Sequence, residues 1–494
     1  MYTDGRSHKQ NQQLSRSCSL AEIDWQQLAE AYRAKSFRVK EAAKQYQISG
    51  VPQYPDNLKL RDYQQEAVAN WLQNKGRGTL QMATGSGKTI IALAIATELY
   101  QKIGLQVLIV VCPYQHLVLQ WQRESQKFGL EPVLVMNRAA QWQGELASQL
   151  CNVMAGKQKF LTLVATNSSF ISEAFQSQVK FFPEKTLIVG DEAHNLGSAT
   201  RESSLPRNLG LRLALSATPQ RYYDEAGTAA IFDYFGQIIQ PLFTLQDAID
   251  RGALVPYSYY PIFVELTEAE SFIYAQLTKK ISWTIKENDS WEDNPQLTAL
   301  LAKRSRVVAT ANNKLTALKD LMETRLNTSH TLFYCGDGEV EYHPEYTRQI
   351  AAVTRILGKE LGYKVNTYTA ETPIDQREKL RKQLDKGILQ GLVAIRCLDE
   401  GVDIPAIRTA VILASSSNPR QFIQRRGRIL RPHPGKTTAT LFDMVVIPPR
   451  LDRAHWEIEK KLLDKELNRL IEFAELAQNA AEARDKLLSL ELEH

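Results

Sequence analysis

Four short runs made almost wholly of apolar residues, VLIVVC (107–112), LTLVA (161–165), TLIVG (186–190) and LRLALSA (211–217), recur between helix-like stretches, and few folds accept that pattern. A strand with one wet face alternates polar and apolar residues. A run that does not alternate is buried on both faces, and such strands gather in parallel sheets covered by helices. After about residue 256 the rhythm restarts with TLFYC (331–335), GLVAI (391–395), TAVILA (409–414) and TATLFD (438–443), so a second α/β domain is expected. The length, 494 residues, leaves room for about three domains. The expected organisation has an N-terminal extension 1–56 with a polar, mobile start and a helix over Ala21–Tyr46, then a first domain 57–255 and a second domain 256–450. A helical elaboration is placed at about 268–325, and a helical tail at 451–494. In the tail Trp456, Leu462, Leu463, Leu467, Leu470, Ile471 and Phe473 fall at helical spacing, which suits a helix packed on its own protein or, alternatively, one that binds a partner.

Between the runs lie two polar segments with chemistry in them. In QMATGSGKTI, Thr84, Gly85, Ser86 and Gly87 form a loop whose backbone N–H groups can face phosphate oxygens. Lys88 supplies a cation for the β and γ phosphates, and the Thr89 hydroxyl can hold Mg²⁺. The helix-forming IIALAIATELY that follows turns its positive N-terminal end toward the same anion. A glycine turn before a helix is the plain alternative, and Met82 stands where the generic phosphate loop has its first glycine. The tetrapeptide DEAH (191–194) argues for the nucleotide, because it follows the buried run TLIVG and puts two carboxylates at a strand's C-terminal end, where ligands of open α/β sheets collect. Asp191 is assigned to Mg²⁺ through water and Glu192 to activation of the attacking water.

Composition removes several other classes. Five scattered cysteines without a C-x-x-C pair argue against a disulfide framework and against a zinc site. No apolar run approaches the eighteen or so residues of a membrane span, and MYTDGRSHKQNQQ lacks a signal peptide's apolar centre, so a soluble, cytoplasmic protein is expected. A net charge of +5 permits a polyanionic partner without pointing to one.

LRDYQQEAV (60–68), MATGSGKT (82–89), PYQHLVLQWQRE (113–124), VATNSSF (164–170), DEAH (191–194), LSATP (215–219), CLDEGVDIP (397–405) and QFIQRRGRILR (421–431) stand in the order of the motifs of superfamily 2 helicases and translocases. The resemblance covers residues 57 to 445, and the MATG form is similar to restriction-enzyme motors and to DEAH proteins related to the repair helicase XPB. It implies two tandem RecA-like domains of the P-loop NTPase class, with ATP between them and Mg²⁺ as cofactor. It also implies residue roles. Arg61, Tyr63 and Gln64 match the adenine-recognising segment, and Ser216 and Thr218 match the segment coupling nucleotide to track. Gln424, Arg428 and Arg431 match the arginine-finger segment, and Gly401 and Asp403 match the segment between nucleotide and nucleic acid. Gln120, Arg123 and Thr166 would touch the phosphate backbone, while Lys303, Arg304 and Arg306 read first as a solvated helix face and second as an extension of the track.

The expected activity is nucleic-acid-stimulated ATP hydrolysis coupled to movement along a duplex or to its opening. DNA is preferred over RNA because FGQIIQPLFTLQDAIDRGALVPY (235–257) resembles the connection in XPB-like and restriction motors. An RNA helicase and a non-unwinding ATP-dependent clamp or switch remain open, as does a motor subunit in DNA repair or anti-phage defence. No nuclease pattern of the P-D-x-n-D/E-x-K kind stands beside the motor, so cutting would need a nuclease or other subunit as partner.

Overall fold

The computed structural model describes residues 19–35, 49–221, 224–287, 295–342, 345–369, 371–395, 404–414, 427–447, 449, 467 and 470–493. They fall into two compact units, Met1–Thr244 and Leu245–His494.

In the first unit the apolar runs become strands of one parallel sheet: β1 (Arg77–Met82), β2 (Val107–Cys112), β3 (Val133–Val135), β4 (Leu161–Thr166), β5 (Thr186–Asp191), β6 (Leu211–Ser216) and β7 (Ile238–Phe243). Their order across the sheet is β3-β4-β2-β5-β6-β1-β7. Every residue of β2, β4 and β6 is buried, as strands covered on both faces must be. Helix Lys88–Ile103 leaves the loop after β1 and is buried without a break from Ile91 to Leu99, Glu98 included. Glu98 is tolerated there because Lys35 pairs with it. Lys35 also lies over the Tyr54 ring, 4.7 Å from its centroid, and the Tyr54 hydroxyl donates to the Ala94 carbonyl at 3.3 Å. The N-terminal extension is thus fastened to the helix that begins at the phosphate loop. Its own helix is Trp25–Arg33, capped by Asp24 and tied by Arg33 to Asn70 and Gln73 at 3.0 and 2.7 Å. Ala21 belongs to a short turn ahead of it, and residues 1–18 and 36–48 lie outside the described residues.

The second unit repeats the plan with β8 (Tyr257–Glu265), β9 (Thr331–Cys335), β12 (Val365–Tyr368), β13 (Gly391–Ile395), β14 (Thr409–Ile412) and β15 (Ala439–Ile447), ordered β12-β13-β9-β14-β15-β8 and all parallel. An antiparallel pair, β10 (Glu339–Tyr342) and β11 (Glu345–Arg348), stands outside this sheet. Helices Glu268–Glu287, Pro295–Ala309 and Asn313–Glu323 occupy the stretch between β8 and β9. Arg304 is spent inside it, stacked 4.5 Å from the Tyr274 ring centroid and donating to Thr278 Oγ1 at 3.2 Å, whereas Lys303 and Arg306 are exposed.

The described part of the tail covers the edge strand β8. Phe473 packs on Tyr257 and Tyr259 with ring centroids 6.0 and 5.0 Å away. The Asn479 side chain accepts the Tyr259 N–H at 2.8 Å and donates to the Tyr259 carbonyl at 2.9 Å, doing for an open edge what another strand would do. Tail residues Trp456, Leu462 and Leu463 lie outside the described residues. No helix among the described residues is long and apolar enough to cross a membrane.

Phe473→Ala is expected to cost about 3–5 kcal/mol by emptying a fully buried ring site. Asn479→Ala is expected to cost about 1–3 kcal/mol by orphaning two backbone groups. Urea unfolding of the two variants beside wild type checks both values and their rank.

Candidate functional site

The strands β1, β6 and β5 are neighbours and parallel, so their C-terminal ends share one side of the first sheet. The register sets Gln81 beside Ser216 and Leu215 beside Asp191. The loop leaving β1 and the acid ending β5 are therefore two strand spacings apart, roughly 10 Å. That gap leaves room for a phosphate and a metal ion.

The loop needs its glycines. Gly85 and Gly87 have φ of 83° and 81°, and Gly87 caps the helix Lys88–Ile103 from that left-handed conformation. Two buried side chains hold the loop from below: Tyr63 Oη and Gln64 Nε2 each donate to the Ser86 carbonyl at 2.9 Å. Gln64 Oε1 in turn accepts the Arg61 N–H at 3.0 Å, so the whole amide is engaged. The Tyr63 ring stacks on Phe243 at 4.0 Å, and the Phe243 carbonyl accepts the Ala83 N–H at 2.7 Å. Lys88 Nζ turns back onto the Met82 and Ala83 carbonyls at 2.9 and 3.3 Å. Thr84 Oγ1 and Ser86 Oγ are buried and meet no partner, although a buried hydroxyl normally has one. A glycine cradle with an ammonium and orphaned hydroxyls fits an anionic phosphate group, and half-buried Thr89 stands in the first helical turn beside it.

At the end of β5 the Asp191 carboxylate is held at both oxygens. Oδ1 accepts the Glu192 N–H at 3.0 Å, and Oδ2 accepts the indole N–H of Trp121 at 2.8 Å. Burial and the negative charge of Asp191 push the neighbouring Cys112 thiol well above its usual range. Glu192 adopts φ 48°, ψ 51°, a left-handed conformation uncommon for a residue with a side chain. His194 is buried, with Nε2 3.0 Å from Asn195 Nδ2 and Nδ1 3.2 Å from Ser216 Oγ. Asn195 Nδ2 also donates to the Glu192 carbonyl at 3.1 Å, so it is a donor to Nε2 as well. The proton of a neutral imidazole then sits on Nδ1 and points at Ser216. Ser216 Oγ also accepts the Thr218 N–H at 3.1 Å, and Glu192 Oε2 lies 3.6 Å from His194 Nδ1. The acid strand end and the end of β6 are thereby one hydrogen-bonded assembly. Thr218 Oγ1 is buried and unpartnered at its margin.

The other expected residues are more dispersed. Thr166 ends β4, and its hydroxyl caps the next turn by accepting the Ser169 N–H at 3.2 Å. Gln120 is half-buried and Arg123 exposed on helix Gln115–Lys127. In the second unit Arg428 is buried and Arg431 half-buried, while Gly401, Asp403 and Gln424 lie outside the described residues. Sequence reasoning passed over Trp121, Phe243 and Lys436. Trp121 falls on the same helical face as Leu117, Val118 and Ser125, which marks it as core and hides its polar edge. Lys436 is 7% exposed, and its ammonium donates to the carbonyls of Ile429, Pro405 (3.1 Å) and Arg431 (2.9 Å), one for each N–H.

This architecture, two parallel α/β sheets with a phosphate loop and an acidic strand end on the first, is that of a P-loop motor ATPase. Residues 57–221 match the family described as "Type III restriction enzyme, res subunit", and residues 313–433 match "Helicase conserved C-terminal domain". The chain belongs to the superfamily 2 helicases, with relatives of the XPB-like and restriction-motor kinds. It is 26% identical over 435 residues to the "DNA 3'-5' translocase XPB2" of Sulfurisphaera tokodaii, covering 83% of this chain and 90% of that one. It is 26% identical over 378 residues to the "Putative DNA 3'-5' helicase Rad25" of Haloarcula marismortui, covering 76% of this chain and 51% of the relative. Its fold is similar to that of the Type ISP restriction-modification enzyme LlaBIII bound to DNA (TM-score 0.54, 17% identity, 85% of this chain and 30% of that one). It is also similar to the Hef helicase domain of Pyrococcus furiosus (TM-score 0.51, 17% identity, 83% of this chain and all of that one).

A Cβ on Gly87 would lie 2.4 Å from Gln64 Nε2 in a conformation L residues avoid. Gly87→Ala should cost about 1 kcal/mol or more and drive Gln64 off the Ser86 carbonyl. Thermal melting together with fluorescent-nucleotide titration should show a small loss of stability beside a larger loss of nucleotide affinity.

Proposed function

We propose that this chain is a DEAH-type, DNA-stimulated ATPase that couples hydrolysis to translocation along duplex DNA or to its opening. The observation that carries this reading is the link Glu192–His194–Ser216–Thr218, which joins the acid at the end of β5 to the segment after β6. A change of contacts at Glu192 would be felt at Thr218. The relatives named as DNA translocases and helicases support DNA as the track. An RNA helicase would carry the same site, and ATPase rates with single-stranded DNA, duplex DNA, RNA and no nucleic acid separate the two. The match to a restriction subunit over residues 57–221 supports a place as the motor of a larger cytoplasmic assembly in DNA repair or in defence against foreign DNA, with any cutting left to a partner subunit.

In this reading ATP with Mg²⁺ supplies a phosphoryl group for transfer to water. Lys88 leaves the Met82 and Ala83 carbonyls for the phosphates, and Thr84 to Gly87 wrap them with backbone N–H groups. Thr89 and Asp191 would hold the metal, the latter through water, and Glu192 would take the proton of the attacking water. Tyr63 and Gln64 keep the loop open from below through Ser86 while Arg61, Tyr63 and Gln64 border the adenine. Arg428 and Arg431, with Gln424, Gly401 and Asp403 of the neighbouring motif segments, would offset the charge that spreads over the γ phosphate during transfer. Gln120, Arg123 and Thr166 meet the DNA backbone.

Lys88→Ala should nearly abolish hydrolysis while DNA binding without nucleotide persists, as filter binding and phosphate release will show. Glu192→Gln should keep MgATP affinity and stop turnover, since only the proton acceptor is lost; weak MgATP binding would make Glu192 a structural residue instead. Arg428→Ala or Arg431→Ala should leave ATP affinity largely intact yet slow DNA-stimulated turnover by about 10³-fold, with poor rescue by lysine. Full recovery of the rate at saturating DNA would reassign these arginines to DNA phosphates.

A further inference from the structure

Helix Gln115–Lys127 lays its buried face, Leu117, Val118, Trp121 and Ser125, against the first sheet. Trp121 is 1% exposed, and a buried indole N–H needs an acceptor. Its acceptor is Asp191 Oδ2, 2.8 Å away, on the strand-end acid assigned to the metal. The opposite oxygen, Oδ1, is taken by the Glu192 N–H at 3.0 Å. These two donors, one at each oxygen, fix the plane of the carboxylate. The Glu192 donor comes from the residue that must itself move a proton, so the indole is the independent anchor of the pair.

We propose that Trp121 is a positioning residue for Asp191: its N–H sets the orientation in which this carboxylate meets hydrated Mg²⁺. The proposal rests on the ATP-site reading above. A hydrogen bond to an ionised carboxylate is among the stronger ones, and loss of such an outer partner typically weakens a metal site by about 10–100-fold. Phenylalanine would fill most of the volume without an N–H; benzothienylalanine, with sulfur in place of the indole nitrogen, keeps the full shape and removes only the donor.

The test uses the full chain with a fluorescent ATP analogue, titrated with Mg²⁺ and, separately, in EDTA. For folded Trp121→Phe and for the benzothienylalanine variant, metal-free nucleotide affinity should match wild type. The Mg²⁺ concentration giving half-maximal strengthening of binding should rise by about tenfold or more. In ¹⁵N-indole spectra the resonance missing from Trp121→Phe should shift in wild type when Mg²⁺ is added to the nucleotide complex. Unchanged Mg²⁺ dependence in the benzothienylalanine variant would overturn the proposal, even if Trp121→Phe is impaired, because packing and not the N–H would then be responsible. A wild-type chain whose nucleotide binding ignores Mg²⁺ would instead remove the ATP-site reading itself.

Discussion

The parallel pairing of β6 between β1 and β5 is the constraint on which the rest of the site depends. Parallel strands run their C-terminal ends to one side, so the loop after β1, the acids after β5 and the serine after β6 meet without any long loop to carry them. An antiparallel neighbour at β6 would have sent one of these groups to the far edge. The register sets Gln81 beside Ser216 and Leu215 beside Asp191, and a slip by one residue would move Ser216 away from His194.

Polar accounting separates structural from functional groups at these strand ends. The Ser86 carbonyl accepts from Tyr63 and Gln64, the Asp191 carboxylate accepts at both oxygens, and Ser216 Oγ lies between an imidazole and a backbone N–H. The buried hydroxyls of Thr84, Ser86 and Thr218 at the same strand ends meet no partner. The same accounting gives Tyr63 and Gln64 a role with or without a base to recognise, since both already fix the loop that a phosphate would enter.

The continuous apolar runs were legible because a doubly buried strand has no choice of composition: residues 107–112, 161–165, 186–190, 211–217, 331–335, 391–395, 409–414 and 438–443 all contribute strands of the two sheets. Strands with an exposed face or of minimal length were not legible. β8 (YSYYPIFVE) alternates buried and half-buried positions, β3 is three residues long, and β12 (VNTY) buries fully only its last residue. The glycine turn after β1 and the acid ending β5 could be placed because left-handed positions favour glycine and an apolar run marks where its strand stops. Trp121 and Lys436 could not, since a tryptophan on an apolar helical face and a lysine after a proline-glycine turn look ordinary until the acceptor each one finds is known.

Cations counted in a composition are not all available to a polyanion. Arg212 is 3% exposed and gives its guanidinium to the carbonyls of Leu209, Tyr234 and Arg207. Lys314, 1% exposed, donates to the Leu413 carbonyl, and Lys436 closes on three carbonyls around the segment that carries Arg428 and Arg431. These bonds run to backbone carbonyls, so the groups that make them count toward the formal net charge of +5 from inside the fold. The acids Glu98 and Asp443 are buried as well, so a formal net charge does not tell which charges meet solvent. What a polyanion can meet is the set of exposed cations on particular elements, such as Arg123 on helix Gln115–Lys127, and not the formal total.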